Sequence, residues 1–158
     1  MVEIVHFELE FVQRTKETLQ NYQGEYKLSN AINCTLGLII LPNEIINNIQ
    51  DPFWDTLISD IEQLAFLQIN QFEPIHRITN GNIEYYPKTL KILLKKIRNG
   101  LAHQNIEPVN NNGFFSGVII RNYYGGGNNR PDLEIEFNRN QLERFALFIA
   151  DEYLKVVV

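Results

Sequence analysis

The chain has 158 residues, of which 44% are apolar and 21% charged, and its formal net charge is −5. These proportions are those of a globular protein and exclude disorder over the whole chain. The length suits one domain, and the sequence has no linker and no internal repeat, so we expect a single domain over residues 1–158.

The first two elements are predicted to be helices. Apolar residues recur at helical spacing from Phe7 to Tyr22, and Gly24 follows as a stop signal. The segment from Tyr26 to Leu41 is apolar on almost every side, which is typical of a central helix in a bundle. Pro42 is expected to end this helix, because proline removes a backbone donor.

A third helix is predicted to begin at Asp51-Pro52, with Asp51 as the N-cap and an apolar stripe that reaches Ala65. Residues 70–86 contain several turn-forming residues and are interpreted as a loop. Pro87 then begins a fourth helix, and the residues of its core face are Leu90, Leu93, Leu94, Ile97 and Leu101.

The pattern changes after Gln104. Residues 105–113 are rich in asparagine and are predicted to form a loop. Residues 114–123 and 133–137 are predicted to form two strands, because apolar and acidic residues alternate in the second segment. A last helix is predicted from the apolar spacing of residues 142–153.

The glycines at 125–127 lie between the two predicted strands. A phosphate-binding loop would need a Lys-Ser/Thr pair and a helix after the glycines, so we interpret this segment as a flexible hairpin tip. Together the elements predict an all-α fold: a bundle of about five helices, with a small β-hairpin inserted before the C-terminal helix.

The compartment is predicted from three features of the sequence. No apolar run is long enough to span a bilayer, and the acidic N-terminal residues do not resemble a secretory signal. The single cysteine, Cys34, excludes an internal disulfide and a multi-cysteine metal site. We therefore expect a cytoplasmic protein with no membrane partner.

Charge is distributed unevenly along the chain. Residues 1–86 carry 4 basic and 12 acidic residues, whereas residues 87–158 carry 10 basic and 7 acidic residues. This pattern is compatible with a local anion-binding site and with an ordinary solvated helix face. Five cations lie in the fourth predicted helix without an acidic residue between them: Lys88, Lys91, Lys95, Lys96 and Arg98.

Of the three histidines, His103 has the most informative neighbours; His6 is near the N-terminus and His76 lies in the predicted loop. Arg98 and His103 are five residues apart, which separates them by about 140° around an ideal helix. Gly100 lowers helix propensity between them, so a bend could let the two side chains converge. A guanidinium beside an imidazole suits phosphodiester chemistry, whereas the alternative is a histidine that simply interacts with the helix dipole.

Other catalytic sites have less support. The sequence has no His-x3-His pair and only one cysteine, so no metal site is predicted and no cofactor is expected. It also has no Gly-x-Ser-x-Gly sequence, which a hydrolase with a serine nucleophile would be expected to contain.

The segment 94–103, with sequence LKKIRNGLAH, resembles the Arg-x4–6-His motif of HEPN domains. In that superfamily a polar residue commonly follows the arginine, and Asn99 is in this position. The position of the motif, at the end of a late helix in a predicted helical bundle, is similar to its position in HEPN domains. The opening helices, with residues 11–15 and 33–42, look like a stand-alone bacterial branch of the superfamily.

The resemblance implies metal-independent cleavage of RNA, often by toxins or phage-defence proteins, in a homodimer whose two motifs face each other. In that case Arg98 would hold the scissile phosphate, His103 would act as general acid or base at the ribose 2′-hydroxyl, and Asn99 would support the pair. The products would be a 2′,3′-cyclic phosphate and a 5′-hydroxyl. Lys91, Lys95 and Lys96 are expected to bind RNA.

The alternative is a non-catalytic HEPN module that binds nucleic acid or a protein partner, in which Arg98 and His103 would be replaceable. The resemblance also allows for a cognate antitoxin. Some HEPN toxins carry a tyrosine two residues after the histidine, which a partner enzyme modifies. Asn105 occupies that position here, so neutralisation by this route is not expected.

Overall fold

The computed structural model describes residues 7–46, 51–125 and 130–157. Within them the chain forms four α-helices and six β-strands in two antiparallel sheets, so the prediction of an all-α bundle of about five helices is wrong. The helices are α1 (Phe7–Asn21), α2 (Lys27–Ile46), α3 (Leu90–Ala102) and α4 (Arg139–Val157). The strands are β1 (Gln68–Phe72), β2 (Ile75–Thr79), β3 (Asn82–Tyr85), β4 (Ile106–Asn111), β5 (Phe114–Asn122) and β6 (Leu133–Asn138).

One compact unit comprises residues 1–49 and 139–158 and contains α1, α2 and α4. Each of these helices packs against the other two, around fully buried side chains that include Val12, Leu38 and Phe145. The three helices predicted in this part of the chain are confirmed. Pro42 does not end α2, which continues to Ile46.

The second compact unit, residues 50–138, contains all six strands and α3. The predicted third helix is wrong, because residues 52–64 form three short 3-10 turns. Asp51 nevertheless acts as predicted and accepts a hydrogen bond of 2.8 Å from the Phe53 amide. Backbone pairing with the segment before α3 replaces the helix: the Ile58 amide donates to the Lys88 carbonyl and the Leu90 amide to the Thr56 carbonyl, both at 3.0 Å.

The predicted hairpin is confirmed as the antiparallel pair β5–β6, with Ile120 opposite Ile135. It is not a small insertion, because the two strands form the centre of a four-stranded sheet with the order β1-β6-β5-β4. The outer strand β4 lies in the predicted loop 105–113, and the outer strand β1 overlaps the start of the predicted loop 70–86. The tip of the hairpin, at residues 126–129, lies outside the described residues.

A second hairpin, β2–β3, also lies in the predicted loop. Its turn is formed by Asn80 and Gly81, with φ angles of 50° and 81°. This conformation is that of the Asn-Gly turn that joins two-residue hairpins. The dipeptide therefore marks a hairpin rather than an irregular loop.

The prediction of one domain over residues 1–158 stays a prediction.

Helix α3 packs against β5 in the second unit. Thr89 caps its first turn, since the side-chain oxygen accepts a hydrogen bond of 3.3 Å from the Ile92 amide. Gly100 faces the sheet, where a Cβ atom would collide with the Arg121 carbonyl oxygen. The helix continues through Gly100 to Ala102, so the glycine permits close packing and does not end or fray the helix.

Candidate functional site

His103 is the C-cap residue of α3, and a Schellman motif holds its backbone in place. The Gln104 amide donates to the Leu101 carbonyl at 3.1 Å, and the Asn105 amide donates to the Gly100 carbonyl at 2.8 Å. Gln104 has a φ of 59°, the left-handed conformation that this motif requires after the C-cap. The motif turns the chain away from the helix axis and leaves the His103 side chain exposed.

His103 lines a cleft of about 280 Å³ in the strand-containing unit. The cleft is polar and aromatic, and its walls come from the C-terminal half of α3, from β2 and from the ends of β3 and β5. The residues that line it are Ile75, His76, Tyr86, Lys95, Lys96, Asn99, His103, Asn122, Tyr123, Tyr124 and Gly125. A basic helix, two imidazoles and three phenol rings thus meet in one place.

A second histidine lies in the same cleft. The His76 Nε2 atom is 2.8 Å from a Glu84 carboxylate oxygen, and the Arg77 guanidinium donates to both oxygens of that carboxylate at 2.6–3.1 Å. The His76 ring contacts the Tyr86 ring edge-on, with centroids 4.6 Å apart. These contacts orient the imidazole in the wall of the cleft. The sequence interpretation missed this residue, because it placed His76 in a loop rather than on β2.

Lys96 is buried in the wall of the cleft. Its ammonium group is 3.0 Å from the Asp132 carboxylate, and the two side chains are 6% and 0% exposed. The ammonium also donates to the Ile75 carbonyl at 3.3 Å and lies within 6 Å of the Tyr86 and Tyr124 ring centres. The buried Asp132 carboxylate therefore neutralises the charge of Lys96 inside the protein, as a buried ammonium requires.

The charge of Lys95, unlike that of Lys96, is partly exposed to solvent. Lys95 lines the cleft, and its ammonium lies 5.4 Å from the centre of the Tyr86 ring. At about 100° per residue, Lys91, Lys95 and Arg98 fall within about 60° of one another around α3. The three cations therefore share one side of the helix, and Lys95 is the member of the group that reaches the cleft.

The structure brings some of the predicted site residues together and separates others. Asn99 and His103 line the cleft, together with Lys95 and Lys96. Lys91 and Arg98 are not among the residues that line it. Arg98 is linked to the cleft through Asn99, because its Nη1 atom lies 3.5 Å from the Asn99 side-chain oxygen.

The residues that the sequence interpretation missed are His76, Asn122 and the tyrosines at 86, 123 and 124. All three tyrosines belong to Tyr-Tyr pairs, one at the end of β3 and one directly after β5. Aromatic pairs next to strands, in a chain with one basic helix, are the signal that could have found them. Their distance from α3 along the sequence hides the fact that they share its cleft.

A larger cavity, of about 420 Å³, lies in the helical unit between α1 and α2. Cys34 lies in its wall and is 6% exposed. Burial raises the pKa of the Cys34 thiol, which keeps the sulfur protonated and disfavours a role as nucleophile. Because the reactive thiolate is disfavoured there, the cleft beside His103 is the better candidate site.

The described part of the chain contains no group of three or more His, Cys, Asp or Glu residues that could hold a metal ion. None of its helices combines the length and the apolar character that crossing a membrane requires.

A comparison with protein families matches the chain to the family described as HEPN pEK499 p136, and this match extends over residues 1–158. No curated protein and no solved structure matches the chain significantly. The family match extends well beyond the short motif in α3, since it includes both compact units.

Proposed function

The chain belongs to the HEPN pEK499 p136 family, and from this premise we propose that it is a metal-independent endoribonuclease that cleaves RNA at the cleft beside His103. The observation that carries the proposal is the position of His103. It is an exposed imidazole at the end of a basic helix, in a cleft that also contains Asn99 and Lys95. This combination of a proton acceptor, a hydrogen-bonding amide and a cation suits a phosphodiester substrate.

The reaction uses the ribose 2′-hydroxyl as the nucleophile. His103 accepts the proton of this hydroxyl while its oxygen forms a bond to phosphorus. The bond from phosphorus to the 5′-oxygen then breaks, and this oxygen takes up a proton from the protonated His103 imidazole, directly or through water, to leave as a 5′-hydroxyl. The other product is a 2′,3′-cyclic phosphate, so the cleavage consumes no water.

Arg98 supplies the charge that the phosphorane-like transition state needs, because its planar guanidinium can donate two hydrogen bonds to one phosphate. Asn99 supports the pair, since its side-chain oxygen is near the Arg98 guanidinium and its side chain lines the cleft. Lys91 and Lys95 attract the RNA backbone without taking part in the chemical step. The contacts of Lys96 are to protein groups, and its binding of RNA stays a prediction.

A two-fold homodimer completes the site in this proposal. Within one subunit His103 lines the cleft, whereas Arg98 does not. A two-fold axis near the C-terminal end of α3 would bring Arg98 of one subunit to the cleft of its partner. The family relationship, with RNA-binding and dimer-forming members, is consistent with this arrangement.

The physiological role that fits such an activity is that of a toxin or phage-defence component in the cytoplasm, where its RNA substrates lie. A cognate antitoxin would then control it. Asn105 stands where some HEPN toxins have a modifiable tyrosine, so an antitoxin of this protein would act by another route, such as direct binding.

The test is cleavage of a labelled RNA in excess EDTA. We expect the purified protein to cut it and to leave a substrate with a 2′-O-methyl group at the cleaved position intact. His103→Ala should lose roughly 10²–10⁴-fold in rate, the usual contribution of general acid–base catalysis. Arg98→Lys should not restore the activity that Arg98→Ala loses, because an ammonium cannot form the two-donor fork.

Arg130→Lys is the matched control, since Arg130 is exposed and does not line the cleft; it should keep the parent rate. Circular dichroism of each variant shows whether it is folded, and so separates a loss of activity caused by the missing side chain from one caused by unfolding. If EDTA abolishes cleavage and Mg²⁺ restores it, or if His103→Ala cuts as fast as the parent, the assignment is wrong. A non-catalytic RNA-binding module, which the aromatic cleft also favours, would then be the preferred function.

A further inference from the structure

We propose that Tyr123 is a stacking platform for an unpaired nucleobase next to the scissile phosphate, and that the substrate of the cleft is therefore single-stranded RNA. The inference rests on the proposed function for its RNA substrate, and it adds the structural class of that RNA. It depends on the three tyrosines of the cleft, which have different surroundings.

The rings of Tyr86 and Tyr124 already have partners inside the protein. Tyr86 contacts the His76 ring and lies beneath the ammonium groups of Lys95 and Lys96. The Tyr124 hydroxyl donates to the His76 carbonyl at 3.3 Å, and its ring is 5.8 Å from the Lys96 ammonium. Both rings are partly buried and build the wall of the cleft.

Tyr123 differs from both of these tyrosines, because it is 39% exposed while it lines the same cleft as His103. Its backbone follows directly after Asn122, whose side-chain amide donates to the Asp132 carboxylate at 2.7 Å. The Asp132 amide in turn donates to the Asn122 carbonyl at 2.9 Å. The residue before Tyr123 is thus held through both its backbone and its side chain, which anchors the backbone from which the exposed ring extends.

An exposed aromatic ring beside a cation is the arrangement with which proteins bind single-stranded nucleic acids. A base stacks on the ring, and the cation contacts the phosphate that follows. A base within a duplex has both faces covered by its neighbours, so it cannot stack on a protein ring without leaving the helix. With Tyr123 and Lys95 on the same cleft, an unpaired nucleotide fits the chemistry of the site and a paired one does not.

The experiment measures binding of a single-stranded oligoribonucleotide by fluorescence anisotropy in EDTA, in the His103→Ala background so that the RNA stays intact. Tyr123→Ala should weaken binding by roughly 5- to 150-fold, the range that loss of one base–aromatic stack gives. Tyr123→Phe keeps the ring and should bind within about twofold of its background. A fully paired RNA duplex should bind more weakly, with an affinity that does not change in Tyr123→Ala.

Tyr85→Ala is the matched control, because Tyr85 is a 49% exposed tyrosine at the end of β3 that does not line the cleft. The Tyr85→Ala variant should bind the single-stranded RNA with the same affinity as the His103→Ala background. The inference would be overturned if Tyr85→Ala and Tyr123→Ala lost equal affinity for the single-stranded RNA, or if Tyr123→Ala lost none. A parent protein that does not bind single-stranded RNA, or a loss in Tyr123→Phe as large as that in Tyr123→Ala, would overturn it as well.

The outcomes also separate this inference from the proposed function. If the parent cuts no RNA but Tyr123→Ala alone weakens single-strand binding, catalysis is wrong and the stacking site stands. If the parent cuts RNA and Tyr123→Ala changes neither binding nor KM, the stacking site is wrong and the ribonuclease stands.

Discussion

Lys95 and Lys96 are neighbours in the sequence, yet the structure gives their charges different surroundings. Adjacent residues point about 100° apart on a helix, so one ammonium can face the cleft while the next enters the protein. Lys95 is partly exposed, whereas Lys96 forms an ion pair with the fully buried carboxylate of Asp132. In this pair each charge compensates the other, because the two side chains are only 6% and 0% exposed.

Replacement of Lys96 by methionine should therefore destabilise the protein. The variant leaves Asp132 buried without its cation, which costs roughly 3–5 kcal/mol in comparable pairs. Urea unfolding would measure this loss, with Lys91→Met as the control that should change stability by less than about 0.5 kcal/mol.

The double variant Lys96→Met with Asp132→Asn should recover much of the stability, because the amide removes the unpaired charge and keeps an oxygen for Asn122. If Lys96→Met alone has the same free energy of unfolding as the parent, the ion pair between Lys96 and Asp132 does not stabilise the fold.

At the scale of elements, the contact between α3 and β5 positions the site. Gly100 lets the helix approach the sheet at the Arg121 carbonyl, and the Arg121 amide donates to the Asn105 carbonyl at 3.0 Å. The Arg121 guanidinium in turn donates hydrogen bonds to the carboxylates of Glu107 and Glu134, and these acceptors raise its pKa. The end of α3, and with it His103, is thus attached to the middle of the four-stranded sheet.

Gly100→Ala should test this contact. In an isolated helix alanine is more favourable than glycine by about 1 kcal/mol, so propensity alone predicts a gain in stability. Because the new Cβ would collide with backbone, which cannot rotate away, we expect a net loss of about 1–3 kcal/mol, as for other overpacked sites.

Lys91→Ala on the same helix is the control for propensity, and it should leave the urea midpoint nearly unchanged. A Gly100→Ala protein more stable than the parent would show that α3 and β5 do not approach so closely.

At the scale of the whole molecule, the placement of Arg98 outside the lining of the cleft leads to a prediction about assembly. If a two-fold dimer completes each site with Arg98 from one subunit and His103 from the other, Arg98→Ala and His103→Ala proteins should each be inactive alone. In a mixture, random pairing makes half of the dimers mixed, and one of the two sites in each mixed dimer is intact.

Mixing the two variants in equal amounts should therefore restore about a quarter of the parent activity, after an exchange step that lets subunits re-pair. Mixing either variant with itself is the control and should restore nothing. A mixture as inactive as its components, or light scattering that shows only monomers at micromolar concentration, would contradict the shared site.

The parts of the fold that the sequence predicts are those with local causes. The helices α1, α2, α3 and α4 follow from apolar spacing, the Asp51 cap from the chemistry of one side chain, and the β5–β6 pair from strict alternation in a short segment. The family also follows from local residues, since Arg98, Asn99 and His103 lie within one short stretch of α3.

The tertiary structure decided what depends on distant partners. β1 and β4 have little apolar alternation of their own, and they become strands because β6 and β5 offer them unpaired backbone groups. The same holds for the site: His76 and Tyr123 are separated from α3 in sequence, and Lys96 looks like any surface lysine until Asp132 is placed beside it. Spacing along a chain specifies neighbours within an element, whereas packing between elements determines which charges are buried and which rings face the cleft.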